Sequence, residues 1–172
     1  SAASDVYKRQ VDHKDKAHDA TALHHASQEG QLDCVRLLLG SGATVDGSDG
    51  VTSLMLACKG GRLECARTLI KSGAAVEVVS AKGNTPLTSA CGKGHAACVR
   101  LLLASRAKPD AVTHGVQDGE EVERRPLSTA CSNGQVECVR LILNENICQE
   151  TMEDALEAAE AFEEPECAAL VR

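Results

Sequence analysis

Tryptophan is absent, and Tyr7 and Phe162 are the only aromatic residues. Any core must therefore be built from Leu, Val, Ala and Cys, which suits closely packed helices. The same shortage removes the rings on which nucleic-acid bases stack. No apolar run reaches the roughly 20 residues a membrane-spanning helix needs, so membrane insertion is not expected. No G-x-S-x-G, phosphate-cradling glycine loop or H-E-x-x-H occurs. The expectation is a non-catalytic chain with no catalytic residues and no cofactor.

Basic charge in excess is also missing. The net charge is −7, and it lies at one end. Residues 150–172 hold eight acids and one base, whereas residues 1–149 hold seventeen of each. A neutral body without a basic stripe argues against nucleic acid, because phosphate binding needs clustered Lys and Arg.

What is present is repetition. Residues 82–105 read as a turn, a helix, a glycine corner and a second helix. Lys82-Gly83-Asn84 is turn chemistry, Thr85 is a helix-cap residue and Pro86 suits the first helical position. Leu87, Ala90 and Cys91 share one helical face. Gly94 ends the helix, and Cys98, Val99, Leu101, Leu102 and Leu103 form a second apolar face. Such a pair is too small to bury its own apolar faces. Its neighbours follow the same plan, with corner glycines at Gly30, Gly61, Gly94 and Gly134 in steps of 31, 33 and 40. The residue at the cap position, Thr21, Thr52, Thr85 or Arg125, precedes its glycine by nine each time. A period near 33 marks a solenoid of stacked helix pairs.

Particular motifs sharpen this. Thr21-Ala22-Leu23-His24-His25-Ala26 and Thr85-Pro86-Leu87 are close to T-P-L-H-x-A. Gly30 to Leu39 follows G-H-L-E-x-V-x-L-L-L, and Gly42-Ala43-Thr44-Val45-Asp46 and Gly73-Ala74-Ala75-Val76-Glu77 follow G-A-x-V-N. With these residues the chain resembles the ankyrin-repeat family over about residues 18–147. The resemblance implies an all-α solenoid of helix-turn-helix pairs with hairpin loops, and binding of another protein on a concave surface. The expected repeats are 18–49, 50–81, 82–112 and 124–149, with an acidic hairpin insertion at 113–123 and a degenerate, truncated fifth repeat at 150–172. Residues 1–10 fit no repeat and resemble adapter or linker sequence. Residues 11–17, with Val11-Asp12, are expected to be the remnant of an upstream repeat, and the second helix of the fifth repeat is cut at Arg172. The natural chain is therefore expected to continue beyond both ends.

The concave positions of this frame are Gln28, Glu29, Lys59, Lys82, Asn84, Lys93, Ser132 and Asn133, the expected protein-binding residues. His24, in the T-P-L-H position, is expected to tie neighbouring turns by hydrogen bonds rather than to act as a catalyst or ligand. Met55 replaces it in the second repeat, where that bond is expected to be lost. The insertion admits two readings, a disordered spacer or a finger that contacts the partner. Arg36, Arg67, Arg100 and Arg140 recur at one position of each second helix. They are expected to form a solvated outer face, paired with Asp33, Glu64 and Glu137 three residues earlier. In the fifth repeat Glu163 replaces the corner glycine.

Nine cysteines invite a metal or disulfide reading. Cys58/Cys65, Cys91/Cys98 and Cys131/Cys138 are each seven apart, unlike the close spacing within a zinc half-site. They are expected to be small apolar core residues, with Cys34, Cys65, Cys98 and Cys138 pointing inward on the second helices. No metal site is expected. So many unpaired thiols suit an intracellular, cytoplasmic protein. Cys148 and Cys167, outside the regular repeats, are the expected reactive pair. The functional expectation is a monomeric scaffold or adaptor binding another protein. The alternatives are a recruiting module of a larger enzyme or channel, such as a ubiquitin ligase subunit or kinase, and redox sensing through Cys148 or Cys167.

Overall fold

The computed structural model describes residues 11–14, 20–46 and 50–172. Residues 1–10 and 15–19, on which the linker reading and part of the upstream-remnant reading fall, lie outside the described residues, as do 47–49. Among the described residues are ten helices and one two-stranded sheet. The helices come in pairs: α1 (Ala22–Glu29) with α2 (Leu32–Gly40), α3 (Ser53–Lys59) with α4 (Leu63–Lys71), α5 (Pro86–Cys91) with α6 (Ala96–Ala104), α7 (Pro126–Cys131) with α8 (Val136–Leu143), and α9 (Gln149–Ala161) with α10 (Pro165–Val171). Strands β1 (Thr113–Gln117) and β2 (Glu120–Arg124) lie between α6 and α7.

Each first helix starts as its sequence dictates. Thr21, Thr52 and Thr85 are extended, and their hydroxyls accept from the N–H groups of His24, Met55 and Thr88. Each ends on the same corner. Gly30, Gly61, Gly94 and Gly134 have φ of 79°, 68°, 72° and 63°, the left-handed region that glycine enters without Cβ strain. The next residue's N–H reaches back over this corner: Gln31 to Ala26 O at 2.9 Å, Arg62 to Ala57 O at 2.8 Å, His95 to Ala90 O at 3.0 Å and Gln135 to Ala130 O at 2.9 Å. The last pair keeps the corner without the glycine. Glu163 takes φ 58°, and Glu164 N–H donates to Ala159 O at 2.8 Å.

The core is a set of columns running through the stack. Leu23, Leu54, Leu87 and Leu127 form one, and Val35, Ala66, Val99 and Val139 another, all buried. Cys58, Cys91 and Cys131 form a third, and Cys65, Cys98, Cys138 and Cys167 a fourth. Cys34 departs from the expected inward placement. It is exposed, as is Leu37 at 71%, because α2 is the first second-helix among the described residues, whereas Cys65, Cys98 and Cys138 lie on helices α4, α6 and α8 that each pack against the second helix before them. Cys167 is buried, contrary to its expected reactivity, because it repeats the station of Cys138.

Neighbouring repeats are also stitched by polar bonds. His24 places Nδ1 3.1 Å from Thr21 N and Nε2 2.9 Å from Val51 O, linking the first repeat to the second as expected. Met55, at the matching station, is an apolar core residue. On the hairpin side, Asp12 accepts from Thr44 N–H at 2.9 Å, Asp46 from Ala75 N–H at 3.0 Å and Glu77 from Lys108 N–H at 3.0 Å. First helices pack more extensively on one another than second helices do. The face of first helices and hairpins, the inner face, is the side that the family resemblance makes concave.

The outer face differs from expectation in one pair. Arg36–Asp33 and Arg67–Glu64 are the expected i, i+3 pairs, at 4.0 and 3.5 Å. Glu137 instead meets Arg100 of the preceding repeat at 3.7 Å. Position 97 is alanine, so Arg100 has no acid three residues earlier and turns to the next helix.

Candidate protein-binding surface

Two adjoining grooves cross the inner face of the first three repeats. The first, about 270 Å³, is lined by Gln28, Glu29, Leu56, Lys59, Arg62 and Lys93 around Gly60. The second, about 320 Å³, runs from Leu56 and Lys59 past Met55 to Lys82, Asn84 and Ser89. Six of the eight expected residues thus line one continuous surface: Gln28, Glu29, Lys59 and Lys93 in the first groove, and Lys59, Lys82 and Asn84 in the second. Ser132 and Asn133 stand apart from it. Their side chains bond to Thr129 O, at 3.3 and 2.9 Å, within their own helix end.

The cations on this surface are held ready rather than neutralised. Among the described residues none of Lys59, Lys82 and Lys93 makes an ion pair, and all three are exposed. Arg62, which the expected set omitted, folds over the preceding corner. Its Nε donates to Gln28 O at 3.1 Å, and a Cβ on Gly30 would come within 2.7 Å of its Cδ. His95 repeats the arrangement, with Nε2 3.1 Å from Lys59 O. These two side chains fix the backbone that carries Gln28 and Lys59. In the sequence Arg62 reads only as local basic charge beside Lys59; the signal for its backbone role is its station directly after a corner glycine.

The 113–123 insertion is an ordered β-hairpin rather than a disordered spacer. β1 and β2 pair antiparallel from Thr113↔Arg124 to Gln117↔Glu120. Asp118 and Gly119, at φ 55° and 89°, make the two-residue turn. The hairpin is clamped to the turn before α5. Val116 N–H donates to Ala81 O at 3.0 Å, Thr113 Oγ1 to Gly83 O at 2.6 Å, and Arg124 Nε to Lys82 O at 3.0 Å. Gly115 permits this approach, since a Cβ there would lie 2.1 Å from Gly83 N. The insertion therefore fixes the backbone of Lys82.

Sequence reasoning also missed a third groove, between the fourth repeat and α9. Arg125, at the station of the capping threonines, has a side chain only 8% exposed. It meets Glu123 at 2.9 Å, Glu150 at 2.8 Å and Asp154 at 2.6 Å, and donates to Thr151 Oγ1 at 3.1 Å. Burial pushes the guanidinium pKa down, and the bonds to Glu150 and Glu123 outweigh it, so the group is held charged. Thr151 also bonds to Asp110. Arg125 in place of threonine was the available sign.

Two of the core thiols are held protonated. Burial lifts Cys131 to about 12 and Cys138 to about 11, far from the thiolate form that reacts. Among the described residues no group of three or more His, Cys, Asp or Glu is placed to hold a metal ion, and no helix is long and apolar enough to cross a membrane.

A family model described as ankyrin repeats (3 copies) matches residues 23–113 and 73–154. Among solved structures the chain is similar to the crystal structure of the human ASB11 ankyrin repeat domain. The two are 32% identical with a TM-score of 0.73, over 88% of this chain and 68% of that one. No curated protein matches the chain.

Proposed function

This chain belongs to the ankyrin-repeat family, and from that premise we propose that it is a protein-binding scaffold that seats a partner on the inner face of the stack. The observation that carries the reading is the continuous surface of two grooves holding the exposed Lys59, Lys82 and Lys93, which make no ion pair among the described residues. Such a surface suits an acidic partner segment. The stack orders these side chains before the partner arrives, so binding avoids much of the cost of arranging them. Glu29, Gln28 and Asn84 supply hydrogen-bonding groups at the rim. The role is recognition rather than catalysis.

A fluorescent peptide of consecutive glutamates is the direct probe. The double variant Lys59→Glu, Lys93→Glu is expected to weaken it by about tenfold, equivalent to about 1.4 kcal/mol. Unchanged affinity, with helicity and melting temperature preserved, would remove the inner face as the binding surface.

A further inference from the structure

We infer that the second groove is an anchor pocket: the acidic partner segment docks by one aliphatic side chain, flanked in its sequence by carboxylates and set among Val51, Met55 and Leu56. This inference rests on the inner-face reading and names what that face selects.

The second repeat departs from the repeat plan at this groove. The stations three and four residues past the cap hold His24-His25, Thr88-Ser89 and Ser128-Thr129 in the other full repeats, but Met55-Leu56 in the second. Val51, just before the cap, is matched by Asn84 and Arg124 in the next two repeats. The fold therefore accepts polar residues at all three stations, and packing of the stack does not account for the apolar set. Val51 is 44% exposed and Leu56 half-buried. Among the described residues the cluster that joins the core columns includes neither. Both line the groove, together with Met55 and Ala81. Their apolar surface faces water, and an aliphatic side chain laid on it would remove that contact.

The walls are fixed in advance. Val51 O lies 2.9 Å from His24 Nε2. On the third-repeat side, Ser80 N–H donates to Asn84 O at 2.9 Å and Asn84 N–H to Ser80 Oγ at 3.1 Å. The hairpin holds Ala81 O through Val116 N–H at 3.0 Å. A pocket formed before the partner arrives costs little further ordering on binding.

Charge decides what surrounds the anchor. Lys59 and Lys82 line the same groove, are exposed, and make no ion pair among the described residues. Carboxylates beside the aliphatic residue would meet these ammonium groups, whereas a lysine or arginine there would be repelled. A wholly apolar segment would leave the lysines without counter-charge, and a wholly acidic one would leave the pocket empty. An apolar anchor ringed by polar contacts is the arrangement in which one side chain carries much of an interface's affinity.

The test uses the full chain and two labelled peptides. One carries a leucine midway along a run of glutamates, and the other has serine in its place. The leucine peptide is expected to bind about tenfold tighter, the scale of burying much of one leucine side chain. Leu56→Ser and Val51→Asn, each installing the third repeat's residue at that station, are expected to remove this preference. Leu37→Ser, at an exposed leucine of α2 outside the groove, leaves it intact. Circular dichroism checks that each variant is folded. Val51 is exposed and precedes α3, so Val51→Asn decides the question should Leu56→Ser unfold. Equal affinities of the two peptides, or a preference that survives the pocket variants, would overturn the anchor pocket. Indifference of both peptides to Lys59→Glu, Lys93→Glu would instead overturn the inner-face reading beneath it, so the two failures are separately visible.

Discussion

The Arg125 guanidinium lies 2.6 Å from the Asp154 carboxylate, across the junction between the fourth helix pair and the last. Threonine at this station in the first three repeats caps its own helix; arginine here gives up the cap and binds the next repeat. Arg125→Thr restores the capping hydroxyl but leaves Glu123, Glu150 and Asp154 facing one another. A loss of about 1 kcal/mol is expected, since the carboxylates left behind are 40–73% exposed and water screens their repulsion. Urea unfolding measures it, and an unchanged midpoint would show that the cluster holds nothing together.

Asp110 gives the same junction an acid limit. Burial pushes its pKa up, but hydrogen bonds from Thr151 and Cys148 and the charge of Arg125 outweigh this and hold it below its ordinary 3.8. A carboxyl depressed in the folded state stabilises above its unfolded pKa and loses that contribution as pH falls through the folded value. Melting of the wild type should therefore fall more steeply below about pH 4 than that of Asp110→Asn. Parallel acid limbs would contradict this.

Ser27 stands where Cys58, Cys91 and Cys131 stand in later repeats, and its buried Oγ has no hydrogen-bond partner among the described residues. Ser27→Cys, which matches those repeats, or Ser27→Ala is expected to stabilise by about 1 kcal/mol by removing the stranded hydroxyl. A lower melting temperature for both variants would mean the hydroxyl is satisfied in solution.

Only Cys34 and Cys148 of the nine cysteines are exposed. Iodoacetamide under native conditions should therefore modify those two, with the remaining thiols reacting on unfolding. Mass spectrometry of the peptides decides it, and early modification of Cys167 would contradict its place in the core.

The repeat plan was legible because its determinants are local. A capping threonine, a proline at the first helical position and a left-handed glycine act within one turn of chain, and each sits where the period predicted. Glu163 shows how firmly the period holds: the corner forms there without the glycine. His24 was legible through the T-P-L-H motif of the family, since its bond reaches Val51 in the next repeat. What escaped depends on residues distant in sequence. The partners of Arg125 lie 25 and 26 positions away at Glu150 and Thr151. Glu137 leaves its own helix for Arg100 because alanine stands at position 97. Cys34 was assigned by its repeat position, but burial of that position requires a neighbour that α2 lacks among the described residues. The hairpin at 113–123 was expected, but its clamp onto Ala81, Lys82 and Gly83 was not, because those partners lie 30 to 42 residues back.

The hairpin between the third and fourth repeats closes on itself. Thr113 and Arg124 are paired at its base, and a Cβ on Gly119 at its tip would meet nothing within 4 Å. The chain thus returns to the stack at the point it left, whatever lies beyond the pairing. Sequence added at Asp118-Gly119 would change neither the spacing of α6 and α7 nor their packing, which is how a step of 40 coexists with steps of 31 and 33. The tip is accordingly a graft point, where an epitope, a fluorophore site or a second recognition loop can be carried without altering the repeats beneath.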